Sequence, residues 1–231
     1  EYWKKMVQVS RHATIQRMLR CGQIMGRKEA ELQYTAQLLY PAMQVADIFH
    51  LGVDICQLGM DQRKVNILAR ELGPKLGWWK PVAVHHHMLM GLQQPAATEQ
   101  DKTERTIALK MSKSNPESAI FMTDTPADVE RKTSNAYCPA KQVEENPILD
   151  YCKHIIFEQQ KELVISRPAK FGGELKLNSY QELADTYAAG KLHPQDLKKA
   201  VSTALNELLE PVRKHFSKGK HFFLGEKYNS N

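Results

Sequence analysis

The stretch from Val53 to His86 constrains the fold most. Val53-Asp54-Ile55-Cys56 reads as a short buried strand, and Gly59-Met60-Asp61 reads as a turn. Asp61 then caps a helix from Gln62 to Leu72, and Pro81 to His86 forms a second strand. Strand, turn, helix and strand in that order predict a parallel α/β sheet, with its functional loops at the carboxyl ends of the strands. Helical patterns flank this unit. Ser10 to Leu19 is predicted helical and ends at Cys21-Gly22; Lys28 to Leu39 is a second helix, and Pro41 after Tyr40 suits the first turn of another. Gln93 to Thr106 is polar and aperiodic, the signature of a mobile loop. Farther on, Pro126 and Asn146-Pro147 open helices, and Lys161 to Ser166 pairs with Glu174 to Leu177 as a hairpin. The last helix starts at His193-Pro194 and aligns Leu197, Val201, Leu205, Leu208, Val212 and Phe216 on one face. A domain boundary is expected near residue 140.

Composition narrows the class of protein. In 231 residues, 42% are hydrophobic and 25% charged, enough apolar material for a packed core and too little charge for global disorder. No window approaches about 18 uninterrupted apolar residues, so no membrane partner is expected. The start, Glu1-Tyr2-Trp3-Lys4-Lys5, lacks the layout of a signal peptide and has no initiator Met before it, so the chain is expected to begin mid-protein. Cys21, Cys56, Cys138 and Cys152 are widely spaced without a Cys-x-x-Cys pair, which points to reduced thiols and a cytoplasmic location. The net charge of +6 suits a polyanionic partner. Residues 1–115 hold 16 Lys/Arg against 10 Asp/Glu and residues 116–231 hold 16 against 16, so the excess lies in the first half.

Three groups of side chains carry candidate chemistry. Tyr40, Gln44 and Asp47 fall at i, i+4 and i+7 of one helix, so they share a face. That face reads either as a solvated polar stripe or as one wall of a site. The strand end at Gly59-x-Asp61-Gln62 favours a site: Gly permits close backbone approach, Asp accepts from ribose hydroxyls, and Gln both donates and accepts. Lys110-Met111-Ser112-Lys113-Ser114 joins two ammonium groups to two hydroxyls, a composition suited to closing over a polyphosphate, although an exposed basic loop has the same appearance. His85-His86-His87 alternate faces of a strand and cannot converge on one ion, so no metal site is assigned. Trp78-Trp79 reads as packing, and Lys198-Lys199 as the solvated face of the last helix.

Leu39-Tyr40-Pro41-Ala42-Met43-Gln44-Val45-Ala46-Asp47, Gly59-Met60-Asp61-Gln62-Arg63-Lys64, the KMSKS string at 110–114, Ala136-Tyr137-Cys138-Pro139, Lys170-Phe171-Gly172-Gly173 and His193-Pro194-x-Asp196-Leu197-Lys198 together resemble the class I aminoacyl-tRNA synthetases. Within them, the likeness is to the tyrosyl type of archaea and eukaryotes. The resemblance implies a fold: residues 1–37 would be a helical insertion at a dimer interface, 38–140 the second half of a Rossmann-like catalytic domain, and 141–231 a mainly α-helical anticodon-binding domain. It implies that Tyr40, Gln44 and Gln62 hold the backbone end of a bound tyrosine while Asp47 accepts from its phenol. Gly59 and Asp61 would lie beside the ATP ribose. Lys110, Met111, Ser112, Lys113 and Ser114 would lie beside the phosphates, with Lys110 and Lys113 acting on the transition state. Phe171, His193 and Asp196 would grip the anticodon. Tyrosine, ATP with Mg2+ and tRNA(Tyr) are the implied ligands, and a homodimer or tandem pseudo-dimer the implied assembly. The other signature of such enzymes, His-x-Gly-His, occurs nowhere in the chain, nor does the tyrosine-binding first strand, so an additional N-terminal segment is expected to complete the enzyme. Residues 95–108 resemble an insertion before the KMSKS string. A tryptophan-specific synthetase and a non-catalytic tRNA-binding half of a longer protein are the alternatives.

Overall fold

The computed structural model describes residues 1–22, 34–95, 105, 109–111 and 115–217. The start of the helix expected from Lys28 and most of the Gln93–Thr106 stretch lie outside the described residues. The chain forms two compact units, one built on Glu1–Met88 and the other on Leu89–Ala96 with Leu109–Asn231.

In the first unit, helices α1 (Tyr2–His12) and α2 (Ile15–Cys21) replace the single helix expected from Ser10 to Leu19. The break has a local cause. Ala13 is extended and the Thr14 hydroxyl accepts from Arg17 N, so the side chain caps a new helix instead of letting the first continue. Helix α3 (Thr35–His50) runs straight through Pro41, which is buried in its interior and does not start a helix as expected. Proline there removes one ladder hydrogen bond. Burial of Ala42, Val45, Ala46, Ile48 and Phe49 against α1 and α2 offsets that loss.

Strand β1 (Ile55–Gly59) pairs in parallel with β2 (Val82–His86), in register from Ile55↔Val82 to Gly59↔His86. β1 begins two residues later than Val53 because Val53 N donates to Ile48 O and belongs to the exit turn of α3, where Gly52 adopts φ 68°. A 3₁₀ turn (Met60–Gln62) leads into α4 (Arg63–Lys75), whose N-cap is Gln62, not Asp61; no side chain caps it. Among the described residues the sheet is covered on one face only. Cys56 is buried, whereas Ile55, Val82 and Val84 on the opposite face are 64%, 52% and 46% exposed.

The second unit has its own core, centred on Val129, Leu149, Ile156, Ile165, Leu177, Tyr187, Leu197 and Val201. Leu92 is buried in it and its carbonyl accepts from Tyr137 N, while Gly91 N donates to Leu109 O. These bonds tie residues 89–92 to the following chain, so the compact units separate after Met88 and not near residue 140. Helix α5 (Pro126–Asn135) opens with a capping box between Thr125 and Asp128. Helix α6 (Pro147–Tyr151) opens with the Asn146 side chain accepting from Ile148 N and Leu149 N, then continues through a π turn (Cys152–Ile156) into α7 (Phe157–Gln159). Strands β3 (Leu163–Ile165) and β4 (Leu175–Leu177) form the expected antiparallel hairpin. Helices α8 (Tyr180–Ala188) and α9 (Pro194–Ser217) follow. The core ends at Leu209, so Leu208 and Val212 are half-buried and Phe216 is exposed, unlike the continuous face expected. Lys198 is also buried, donating to Ser134 O at 2.8 Å; only Lys199 is solvated as expected. All four cysteines are free thiols.

Candidate functional site

The carboxyl end of β1 positions the first group. Gly59 has ordinary backbone angles (φ −65°, ψ 161°), so its lack of a side chain serves space and not conformation. A Cβ there would run into Met88 Sδ and Asp61 Oδ1. Asp61 and Gln62 follow in the 3₁₀ turn, and Gln62 Oε1 accepts a 2.9 Å hydrogen bond from Gln44 Nε2 on α3. This bond joins two residues that the sequence placed in one site. It also leaves Gln44 Oε1 as an acceptor without a partner among the described residues.

Asp47, one turn farther along α3, has a different partner. It is exposed, and its Oδ1 accepts a 2.8 Å hydrogen bond from the Tyr2 hydroxyl of α1. The same hydroxyl lies 3.2 Å from Met43 O. Burial, then the bond to Asp47 and its negative charge, push the Tyr2 phenol up to about 12. Tyr40 is 49% exposed and has no hydrogen-bonding partner among the described residues. The expected pocket is therefore an open wall: the structure joins Gln44 to Gln62, while Asp47 pairs with Tyr2. Sequence reasoning missed Tyr2, yet Tyr2, Met6 and Val9 stand at i, i+4 and i+7, and Met6 and Val9 are the buried residues of α1. That stripe was the available signal.

His85 and His86, the last two residues of β2, take opposite faces as strand alternation requires, and His87 lies beyond the strand. His85 faces α4, with Nε2 3.2 Å from Asn66 Nδ2 and Nδ1 3.5 Å from an Arg63 guanidinium nitrogen. Burial first, then Arg63, lowers its pKa. His86, on the other side, approaches Gly59. Trp78 and Trp79 both pack on Phe49, at ring separations of 4.6 and 5.1 Å, which agrees with a packing role.

In the second unit, Lys110 forms an antiparallel bridge with Met90, and Met111 N donates to Leu89 O. Met111 packs against the core, so the start of the KMSKS string is anchored. Ser112, Lys113 and Ser114 lie outside the described residues. Phe171 ends a 3₁₀ turn (Ala169–Phe171), is 60% exposed, and carries Lys170 Nζ 4.9 Å from its ring centroid. Gly172 follows with φ 94°, the left-handed conformation that favours glycine and turns the chain back. Arg167 donates to Gly173 O and to Lys191 O, tying this turn to the chain just before His193. His193 Nδ1 accepts from Gln195 N, so His193 caps α9 and its ring proton resides on Nε2. Asp196, in the first turn of α9, lines an open groove of about 480 Å³ together with Lys161, Ser166, Lys199 and Thr203.

The family model for tRNA synthetases class I (W and Y) matches residues 1–210. The chain belongs to this family. The tyrosine–tRNA ligase of Thermococcus sibiricus is 48% identical over 232 residues, covering 94% of this chain and 62% of the relative. The cytoplasmic tyrosine–tRNA ligase 2 of Arabidopsis thaliana is 50% identical over 217 residues, covering 94% of this chain and 27% of its own length. Among solved structures, the tyrosyl-tRNA synthetase of Pyrococcus horikoshii complexed with L-tyrosine is 44% identical with a TM-score of 0.85, covering 94% of this chain and 62% of that one. The chain thus has the class I synthetase fold, here as a mainly helical structure with a small parallel sheet. It spans 62% of the length of the Thermococcus relative. No described helix is long and apolar enough to cross a membrane.

Proposed function

We propose that this chain supplies the second part of a tyrosine–tRNA ligase, which joins tyrosine to ATP as tyrosyl-adenylate and passes the tyrosyl group to tRNA(Tyr). The observation that carries the reading is the Gln44–Gln62 bond, with Asp47 one helical turn along α3 from Gln44 and its Oδ2 without a partner among the described residues. Gln44 Oε1 is an acceptor for the ammonium of a bound amino acid, and Asp47 an acceptor for its phenol. Tyrosine fits better than tryptophan, whose indole offers one donor and no acceptor. The tyrosine–tRNA ligases among its relatives support the same choice.

In the reaction, the tyrosine carboxylate attacks the α-phosphorus of ATP in line and pyrophosphate leaves. The protein's share is positioning and neutralisation of charge. Gly59 gives a ribose access to the backbone, and Asp61 accepts from its hydroxyls. Lys110 and Lys113 would neutralise charge on the phosphates, a role that rests on the motif. Mg2+ would arrive with ATP, bound to phosphate oxygens, and supply further neutralisation; we assign it no protein ligand. Phe171, His193 and Asp196 would hold the anticodon, which makes the second unit the anticodon-binding part, and residues before α3 the dimer interface. A cytoplasmic location accords with the four free thiols.

The test is tyrosine-dependent pyrophosphate exchange by the complete synthetase polypeptide carrying this chain. Asp47→Ala should raise the tyrosine KM at least about tenfold more than the ATP KM, since a hydrogen bond to a charged group contributes about 1.5–3 kcal/mol. Equal effects on the two substrates would refute the assignment.

A further inference from the structure

We propose that Tyr2 is a positioning residue for Asp47: its hydroxyl fixes one carboxylate oxygen so that the other faces the phenol of the bound amino acid. The proposal rests on the reading of Asp47 given above and extends it to a residue 45 positions away. A carboxylate has two oxygens and can serve two donors at once. Tyr2 takes Oδ1 at 2.8 Å, and Oδ2 has no partner among the described residues.

An exposed Asp on a helix surface otherwise samples several χ1 wells and a broad χ2. Here the anchor is itself held in place. The Tyr2 ring meets His50 edge-on at 5.3 Å and Trp3 edge-on at 5.6 Å, and its hydroxyl lies over Met43 O, one helical turn before Asp47. Met6 and Val9 of the same helix are buried against the α3 core, so α1 is docked by its apolar stripe and Tyr2 is delivered to Asp47 by that docking. The phenol, pushed up to about 12, remains a donor throughout the physiological range. A donor of this kind to a charged acceptor makes the stronger class of hydrogen bond. Ordering the carboxylate before the ligand arrives removes part of the entropy cost of binding.

Tyr2→Phe tests the idea because it keeps the ring and its packing and deletes only the oxygen. In pyrophosphate exchange by the complete polypeptide, the tyrosine KM should rise about 3–10-fold with kcat within about twofold, the scale of one side chain's ordering cost. The KM for phenylalanine, which has no hydroxyl for Asp47, should not move, so tyrosine-over-phenylalanine selectivity should fall by the same factor. On an Asp47→Asn background, Tyr2→Phe should add almost nothing. An unchanged selectivity, with a lowered unfolding midpoint, would reduce Tyr2 to a structural bond and overturn the proposal. So would equal shifts for the two amino acids, or additivity with Asp47→Asn. A parent polypeptide that exchanges no tyrosine would sink the ligase reading and this proposal together; an active parent with unaltered Tyr2→Phe selectivity sinks only the role of Tyr2.

Discussion

Individual side chains here are set by what surrounds them more than by what they are. His85 and His86 have different environments because a strand sends neighbours to opposite faces. His85 meets α4, where Asn66 donates to Nε2, so that nitrogen must stay unprotonated for the bond to persist. Burial and Arg63 act in the same direction and lower its pKa below the ordinary 6.5. The unfolded chain therefore binds a proton more readily than the folded one, and stability rises with pH across the interval from the folded pKa to 6.5. Full stability is present above 6.5 and is lost as pH falls toward the folded value. Urea unfolding from pH 7.5 down to pH 5 should show this slope, and His85→Gln should flatten it. An NMR titration that placed His85 above the ordinary histidine value would contradict the sign. Lys132 illustrates the same principle without titration: buried among Phe121, Ala119 O and Asp124, its charge is tolerated because Asp124 Oδ2 lies 2.6 Å away.

At the scale of elements, what the sequence revealed was whatever local chemistry decides. Thr125 and Asn146 cap the helices after them, and the hairpin at 163–177 follows from its turn residues, so these starts were legible. The β1–α4–β2 order was legible too, because hydrophobic period and Gly punctuation carry it. What was not legible depends on distant packing. Pro41 looks like a helix start, yet burial of the surrounding apolar face keeps α3 continuous across it. The direction of Asp47 is set by Tyr2, which only the packing of α1 on α3 delivers. The partition after Met88 depends on bonds between residues 89–92 and the chain beyond 109. Phe171 was named only through the resemblance, and its ring is exposed with a lysine over it. An exposed ring beside a cation suits base stacking, worth roughly 1–3 kcal/mol per base. Phe171→Ala should then lower tRNA charging by about one to two decades and leave tyrosine activation intact, by the same stacking energy. Parallel loss of activation in the exchange assay would rule out a role confined to tRNA.

For the whole molecule, the decisive feature is a sheet with one uncovered face. Parallel strands are ordinarily buried on both sides, and an isolated pair of strands is marginal in water. Here Ile55, Val82 and Val84 are exposed on the face opposite α4, and β1 has β2 as its sole partner among the described residues. Tyr40 and Asp47 are likewise open to solvent, so the proposed amino-acid site has no opposing wall among the described residues. The relatives extend well beyond the matched region, since the chain spans 62% of the Thermococcus ligase. We therefore expect the remaining length to contribute strands that cover the apolar face and close the amino-acid site, together with a second set of phosphate contacts. ATP held from one side alone would not present its α-phosphorus in line to a carboxylate. Residues 1–231 expressed alone should accordingly bind a hydrophobic dye at the exposed sheet and catalyse no measurable tyrosine-dependent pyrophosphate exchange. Supplying the upstream segment of a close relative in trans should restore exchange and abolish the dye signal. Full exchange by the isolated 231 residues would overturn this reading and direct the search for phosphate contacts to His85, His86 and His87.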